Sequence, residues 1–214
     1  GGNPIVVEKD GFFNSSLKEF SLKYNLVSTL KFFIDFADPN GSVYSWNKSF
    51  PNSDLAFSRE DLAFYFGFAS ELPTLVNRNP NQNFFVAPFP QIRNASFKLT
   101  TAQVTGISIL SSSRNFNTAL TAASLLSTGD FAKEYALALG LPPARRDLLK
   151  TKPKDAYSPI FYDSALFART WLDPSPKDTN EIFRRMIETS ISNSASVDDA
   201  ISDADSRLNL LLLK

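Results

Sequence analysis

From Leu17 onward the apolar residues Leu17, Phe20, Tyr24, Val27, Leu30 and Ile34 recur at spacings of three or four. That period lays one buried stripe along a long amphipathic helix, which Asp38-Pro39-Asn40-Gly41 stops. The same period returns at the end of the chain. Ile182, Phe183, Met186, Ile187 and Ile191 mark one helix face, and Val197, Ala200, Ile201, Ala204, Leu208 and Leu211 mark another. Between these lie a small-residue helix over Thr118 to Leu126, a helix from Phe131 to Leu139 closed by Gly140 and Pro142-Pro143, a helical turn over Ala144 to Leu149, and a helix over Pro159 to Thr170.

The centre of the chain reads differently. In DLAFYFGFASELPTLVNRNPNQNFFVAPFP, Asp61 to Pro90, an apolar run Leu62 to Phe66 meets Gly67, a helix-like segment spans Ser70 to Val76, and a second apolar run covers Phe84 to Ala87. The pattern predicts a strand, a helix and a strand, with Gly67 to Glu71 at the first strand's exit, where ligands sit in open α/β folds. Ser58 to Asp61 has capping-box spacing and predicts one helical turn before it. Val104 to Leu110, VTGISIL, is a further buried-strand candidate, whereas residues 1 to 14 mix turn formers with a short β-like run, Ile5-Val6-Val7, and read as a loop entering the fold. With about three to five short strands among many helices, the expected class is α/β and helix-rich.

Composition narrows the chemistry. The 214 residues carry 22 acidic and 22 basic side chains, so net charge gives no reason to expect nucleic acid or an anionic membrane as partner. Without cysteine there is no disulfide, thiolate metal site or thiol nucleophile; without histidine the usual general base and imidazole ligands go too. No cofactor is implied, because neither a GxGxxG fingerprint nor a Walker loop occurs. The acidic run Asp198, Asp199, Asp203 and Asp205 lacks the glycine and ladder of a calcium loop and reads as a solvated helix face, so no metal is expected. No apolar run reaches the roughly 18 residues of a membrane span. The start, Gly1-Gly2-Asn3-Pro4, has no basic and apolar leader pattern, so the chain reads as a mature or excised piece.

Aromatic residues remain, twenty phenylalanines among them. Tyr44, Trp46, Phe68 and Trp171 fall in loops or at element ends, near Asn47, Ser70, Glu71, Arg169 and Asp173. Such rings either cover the edge of the core or stack on the apolar faces of sugar rings while the polar neighbours hold hydroxyls. Two function classes stay open. One is a binding module using Tyr44, Trp46, Gly67, Phe68, Ser70, Glu71 and Trp171. The other is a carboxylate-dependent glycoside-processing enzyme pairing Glu71 with Asp35, Asp38 or Asp173.

A resemblance favours the first. The run from Phe57 to Pro90, then Gly106-Ile107-Ser108-Ile109, the Ser-Arg-Asn before an Ala-rich helix, Leu141-Pro142-Pro143-Ala144-Arg145, Ala168-Arg169-Thr170-Trp171 and a closing helix of the V-x-x-A-I-x-x-A kind resemble, in order, the maltose-binding-protein-like solute-binding proteins of bacterial sugar ABC transporters. The resemblance implies a non-enzymatic, extracytoplasmic protein, in the periplasm or on the outer face of the membrane. It would close by a hinge on a sugar or oligosaccharide and deliver it to an ABC permease. It further implies a type II periplasmic-binding-protein C-terminal lobe made of residues 1–106 and 142–214. Residues 107–141 would cross into a first lobe that this chain does not contain, an uncovered surface from which self-association is expected. This sequence has Phe68-Ala69-Ser70-Glu71 where many members carry a tryptophan, which shifts the expected aromatic platform to Phe68, Tyr44 or Trp46.

Overall fold

A computed structural model describes residues 5–19, 26–91, 93–94 and 97–213; Phe20 and Tyr24 of the first predicted stripe lie outside them. The chain is helix-rich, 47% helical, with a small sheet content. Its contacts divide it into two units, residues 1–50 with 171–214 and residues 51–170. Segment 107–141 belongs to the second.

The first unit opens on a hairpin where the sequence pattern suggests a loop. Strands β1 (Val6–Lys9) and β2 (Phe12–Ser15) pair antiparallel, Val6 opposite Ser15 and Lys9 opposite Phe12. The cause is Asp10-Gly11. Both residues sit at positive φ, 54° and 79°, which a two-residue turn of the right twist demands and which Asp-Gly supplies at little cost. Residues 17–19 are helical, and helix α1 (Leu26–Asp35) carries the remainder of the predicted stripe, with Leu30 buried.

Helices α7 (Pro176–Ile191) and α8 (Val197–Leu212) pack on each other, on α1 and, through α8, on β2. Val6, Leu17, Leu30, Ile182, Ile201, Ala204 and Leu208 make the core, with Val27, Ile34, Phe183, Met186, Ile187, Val197 and Leu211 packed around it. The two C-terminal stripes therefore face inward as their spacing requires, except Ile191, which is exposed at the end of α7. Polar ties fix the hairpin to α8: Ser15 Oγ donates to Asp205 Oδ1 at 2.6 Å, and Ser15 N donates to Asn209 Oδ1 at 2.7 Å. One residue of the acidic run is thus bound into the fold rather than simply solvated.

The second unit corrects the strand, helix, strand expectation. Neither Leu62 to Phe66 nor Phe84 to Ala87 forms a strand, and Val104 to Leu110 does not either. β-branched and aromatic residues suit a pleated surface, but a strand exists only where a neighbour completes its ladder, and these runs have none. Their rings meet instead: Phe66 and Phe89 lie 5.3 Å apart, and Tyr65, Phe57, Phe84 and Tyr157 form a chain of contacts at 5.4 to 5.6 Å. The predicted capping turn is also displaced. Helix α2 (Ser53–Ser58) ends where it was to begin, and Ser58 Oγ donates back to Asp54 O.

The helical part of the central stretch stands nearly where its pattern puts it, as a 3-10 turn over Ala69–Glu71 running into α3 (Leu72–Arg78). The Arg78–Asp54 ion pair at 2.8 Å and the Asn79 Nδ2 bond to Ser58 O at 3.0 Å clip α3 to α2. Helices α4 (Phe116–Leu126) and α5 (Gly129–Leu139) pack together, and Gly140 ends α5 in the left-handed region, as expected. The predicted turn at Ala144 to Leu149 is a 3-10 turn over Leu148–Lys150. Helix α6 (Ser158–Ala165) stops short of the expected Thr170, because Ala168–Arg169 become β4 and pair in parallel with β3 (Thr100–Thr101). Among the described residues of this unit the buried apolar side chains are Ala56, Leu75, Ala136, Leu149 and Tyr162, and the core cluster of the first unit includes none of them.

Candidate functional site

The seven candidate residues separate into a first-unit group, Tyr44, Trp46 and Trp171, and a second-unit group, Gly67, Phe68, Ser70 and Glu71.

Tyr44 and Trp46 stand on a loop hung from the end of α1. The last carbonyls of a helix lack intrahelical donors, and here the Phe36 carbonyl accepts Ser45 N at 2.8 Å and Trp46 N at 3.1 Å. A tight turn brings the chain back, with Gly41 N bonded to Asp38 O at 3.0 Å. A side chain at Gly41 would sit 3.3 Å from that carbonyl oxygen. Both rings then gather on Phe50, Trp46 at 5.2 Å and tilted 36°, Tyr44 at 6.5 Å and tilted 42°. Asn47 Nδ2 donates to the Tyr44 hydroxyl, and its Oδ1 accepts Ser49 N at 2.8 Å. Lys48 Nζ reaches Glu188 of α7 at 3.9 Å. The result is a half-exposed aromatic pad bordered by an amide, an ammonium and a carboxylate. Phe50 was missed among the sequence candidates; its signal was three aromatics within seven residues of one loop.

Trp171 belongs to packing. Its ring meets Phe183 edge-on at 6.3 Å and lies against the core of the first unit. Its neighbour Asp173 caps α7 from outside, its Oδ1 accepting Ser175 N at 3.1 Å and the Thr179 hydroxyl at 2.8 Å. Thr179 is only 2% exposed, so that bond satisfies a buried hydroxyl.

In the second unit Gly67 to Glu71 is a closed turn rather than a strand exit. Glu71 Oε2 accepts the Tyr65 hydroxyl at 2.9 Å and Phe68 N at 2.8 Å, so the carboxylate reaches back over the start of its own 3-10 turn. Gly67 lies directly beneath: a Cβ there would run into Glu71 Oε2 and into Cε1 of the Tyr65 ring. Burial first, and the bond to Glu71 second, push the Tyr65 phenol up to about 12. Phe68 and Ser70 are on the exposed side of this turn. Tyr65 is the neighbour of Glu71 that the strand expectation overlooked, since it counted the residue only as part of the apolar run Leu62 to Phe66.

Chemically, the aromatic pad can stack a ring ligand and hydrogen-bond its edge. The Glu71 turn holds one carboxylate oxygen in two bonds of its own. No protein-family model matches the chain, and no curated protein matches it.

Proposed function

We propose that this chain is the substrate-capturing component of an extracytoplasmic solute-binding system, taking a sugar or oligosaccharide and delivering it unchanged to an ABC permease. The observation that carries this reading is the Tyr44–Trp46–Phe50 pad with Asn47, Lys48 and Glu188 at its border. Aromatic faces bind the C–H faces of sugars without histidine, cysteine or metal, and polar groups at the rim fix hydroxyl orientation. The engagement of Glu71 with Tyr65 and Phe68 favours binding over glycoside processing, because an acid/base carboxylate must be free to exchange a proton with substrate.

The ordered segment resemblance supplies the transport half of the proposal, with a type II C-terminal lobe as its fold. The pair α4 and α5 supports that lobe reading. Its least exposed residues are the small ones, Ala119, Ala123, Gly129, Ala132 and Ala136, while Leu120, Leu125, Phe131 and Tyr135 are turned out to solvent. Large apolar side chains left outside a small-residue seam suit a segment that packs on another body.

Titration with a panel of oligosaccharides, followed by tryptophan fluorescence and calorimetry with chromatography of the sugar afterwards, tests it. Saturable binding without product, abolished by Trp46→Ala and retained by Trp171→Phe, is the expected result. Release of a shortened sugar, or binding indifferent to Trp46→Ala, overturns it.

A further inference from the structure

Around the Tyr44–Trp46–Phe50 pad the polar groups fall into those already engaged and those left over. Ser49 N can only donate, so the amide atom it meets at 2.8 Å is Asn47 Oδ1, and the amide atom facing the Tyr44 hydroxyl is Nδ2. The Tyr44 oxygen accepts from Asn47 and keeps its own proton for a ligand. Trp46 Nε1 has no hydrogen bond among the described residues, where the one buried side-chain polar atom without a partner is Gln82 Oε1; the indole N–H therefore opens to solvent. Lys48 Nζ stands 3.9 Å from Glu188 Oε1, beyond hydrogen-bond reach, on a side chain 83% exposed. The acceptors are engaged: Asn47 Oδ1 by Ser49 N, and Glu188 Oε1 by Arg184 Nη1 at 3.0 Å. Of these groups, the ones left for a ligand are an O–H, an N–H and an ammonium, all of them donors.

We propose, resting on the sugar-binding reading of this pad, that its ligand is an acidic sugar: a ring whose C–H face stacks on the aromatics and whose edge carries a single negative charge, held on Lys48 Nζ. A neutral sugar presents hydroxyls that donate as well as accept, and this rim has little to receive their protons, whereas a carboxylate or a sulfate ester only accepts. Hydrogen bonds to an ionised partner are also shorter and stronger than neutral ones. Charge sets the number. Arg184 is bound to Glu181 at 2.6 Å as well as to Glu188 at 3.0 Å, which leaves Lys48 as the cation of this border still outside a hydrogen bond. One ammonium matches one negative charge. A phosphate monoester, with about two at neutral pH, would set its second charge beside Glu188.

The test sets each acid against its own neutral form: an oligogalacturonate against its methyl ester, and a sulfated oligosaccharide against the same sugar without sulfate. Each is titrated into the full chain and followed by calorimetry and tryptophan emission. At least one acid is expected to bind about tenfold tighter than its neutral form, the size of a charge-assisted hydrogen bond, and which of the two does so identifies the acid. Added salt should narrow that ratio. Lys48→Gln should bring it below about twofold, with far-ultraviolet circular dichroism checking that the fold is kept. Lys177→Gln, about 16 Å away along α7, removes the same charge and should leave the ratio as it was. Equal or tighter binding of the neutral forms overturns the proposal, as does a ratio that survives Lys48→Gln or falls equally in Lys177→Gln. If the neutral sugars then still bind through Trp46, the sugar-binding reading stands without this one. Absence of binding by all four ligands overturns both.

Discussion

Tyr65 and Glu71 are bound to each other across Gly67. The phenol donates to Glu71 Oε2 at 2.9 Å, the same oxygen takes Phe68 N at 2.8 Å, and the space a Cβ at residue 67 would need is filled by both side chains. Gly67→Ala is therefore expected to push both side-chain ends out of this pairing and to destabilise the second unit by about 1 kcal/mol, the usual net contribution of a lost hydrogen bond. Glu71→Gln, which keeps an acceptor oxygen, should cost less than Glu71→Ala. Urea unfolding followed by far-ultraviolet circular dichroism measures all three. A Gly67→Ala chain as stable as the parent sinks the argument.

The same pair makes a statement about alkaline pH. With its ionisation raised from 10.0 to about 12 in the folded chain, Tyr65 stays neutral where an unfolded tyrosine has ionised. Its contribution to stability is thus whole below about pH 10 and lost as pH rises through about 12. Ultraviolet difference titration of the wild type against Tyr65→Phe should isolate one phenol titrating near 12. In Glu71→Ala that value should fall towards 10 without reaching it, because burial is the larger cause.

Leu208 is fully buried at the centre of the first unit and Ile201 is 1% exposed. Leu208→Ala should destabilise that unit by about 2–5 kcal/mol through lost burial and the cavity left behind. Trp46 and Trp171 both belong to this unit, so tryptophan emission reports its unfolding selectively. An emission transition unmoved in denaturant by Leu208→Ala would contradict the assigned core.

In acid the signs reverse. The hydrogen bond from Arg207 holds Asp203 below its ordinary 3.8, and Arg185 adds to it; the Arg78 hydrogen bond does the same for Asp54. Carboxylates depressed in the folded chain give their stabilisation above the unfolded value and lose it as pH falls through the folded one. Both ion pairs are solvent-facing, so the loss is small and salt-dependent. Acid titration of Asp203→Asn and Asp54→Asn should show a shallower stability loss below about pH 4 than the wild type. Equal slopes would remove these pairs from the account.

The helices α7 and α8 were legible because a stripe at period 3.6 has one way to be buried, and Ile182, Ile201, Ala204 and Leu208 take it. The end of α5 at Gly140 was legible for a local reason, since only a residue tolerant of positive φ ends a helix that way. The Asp10-Gly11 hairpin was equally local and was passed over. Leu62 to Phe66, Phe84 to Ala87 and Val104 to Leu110 were misjudged because strand composition says nothing about a neighbour. A ladder needs a partner whose distance along the chain is unbounded; among the described residues β1 found its partner β2 just across a two-residue turn, and β3 and β4 found each other far apart in the chain.

The candidate site divides along the same line. Sequence by itself put Tyr44 and Trp46 in a loop, excluded imidazole and thiolate chemistry, and placed Glu71 at the exit of a strand that does not form. Tertiary structure decided that Phe50 completes the aromatic pad, that Trp171 is spent on Phe183 and the core, and that Glu71 is held by Tyr65 and Phe68. Residue type and spacing fix what a side chain can do. Which of its partners it meets is set by packing between segments far apart in the chain, where neither periodicity nor turn chemistry reaches.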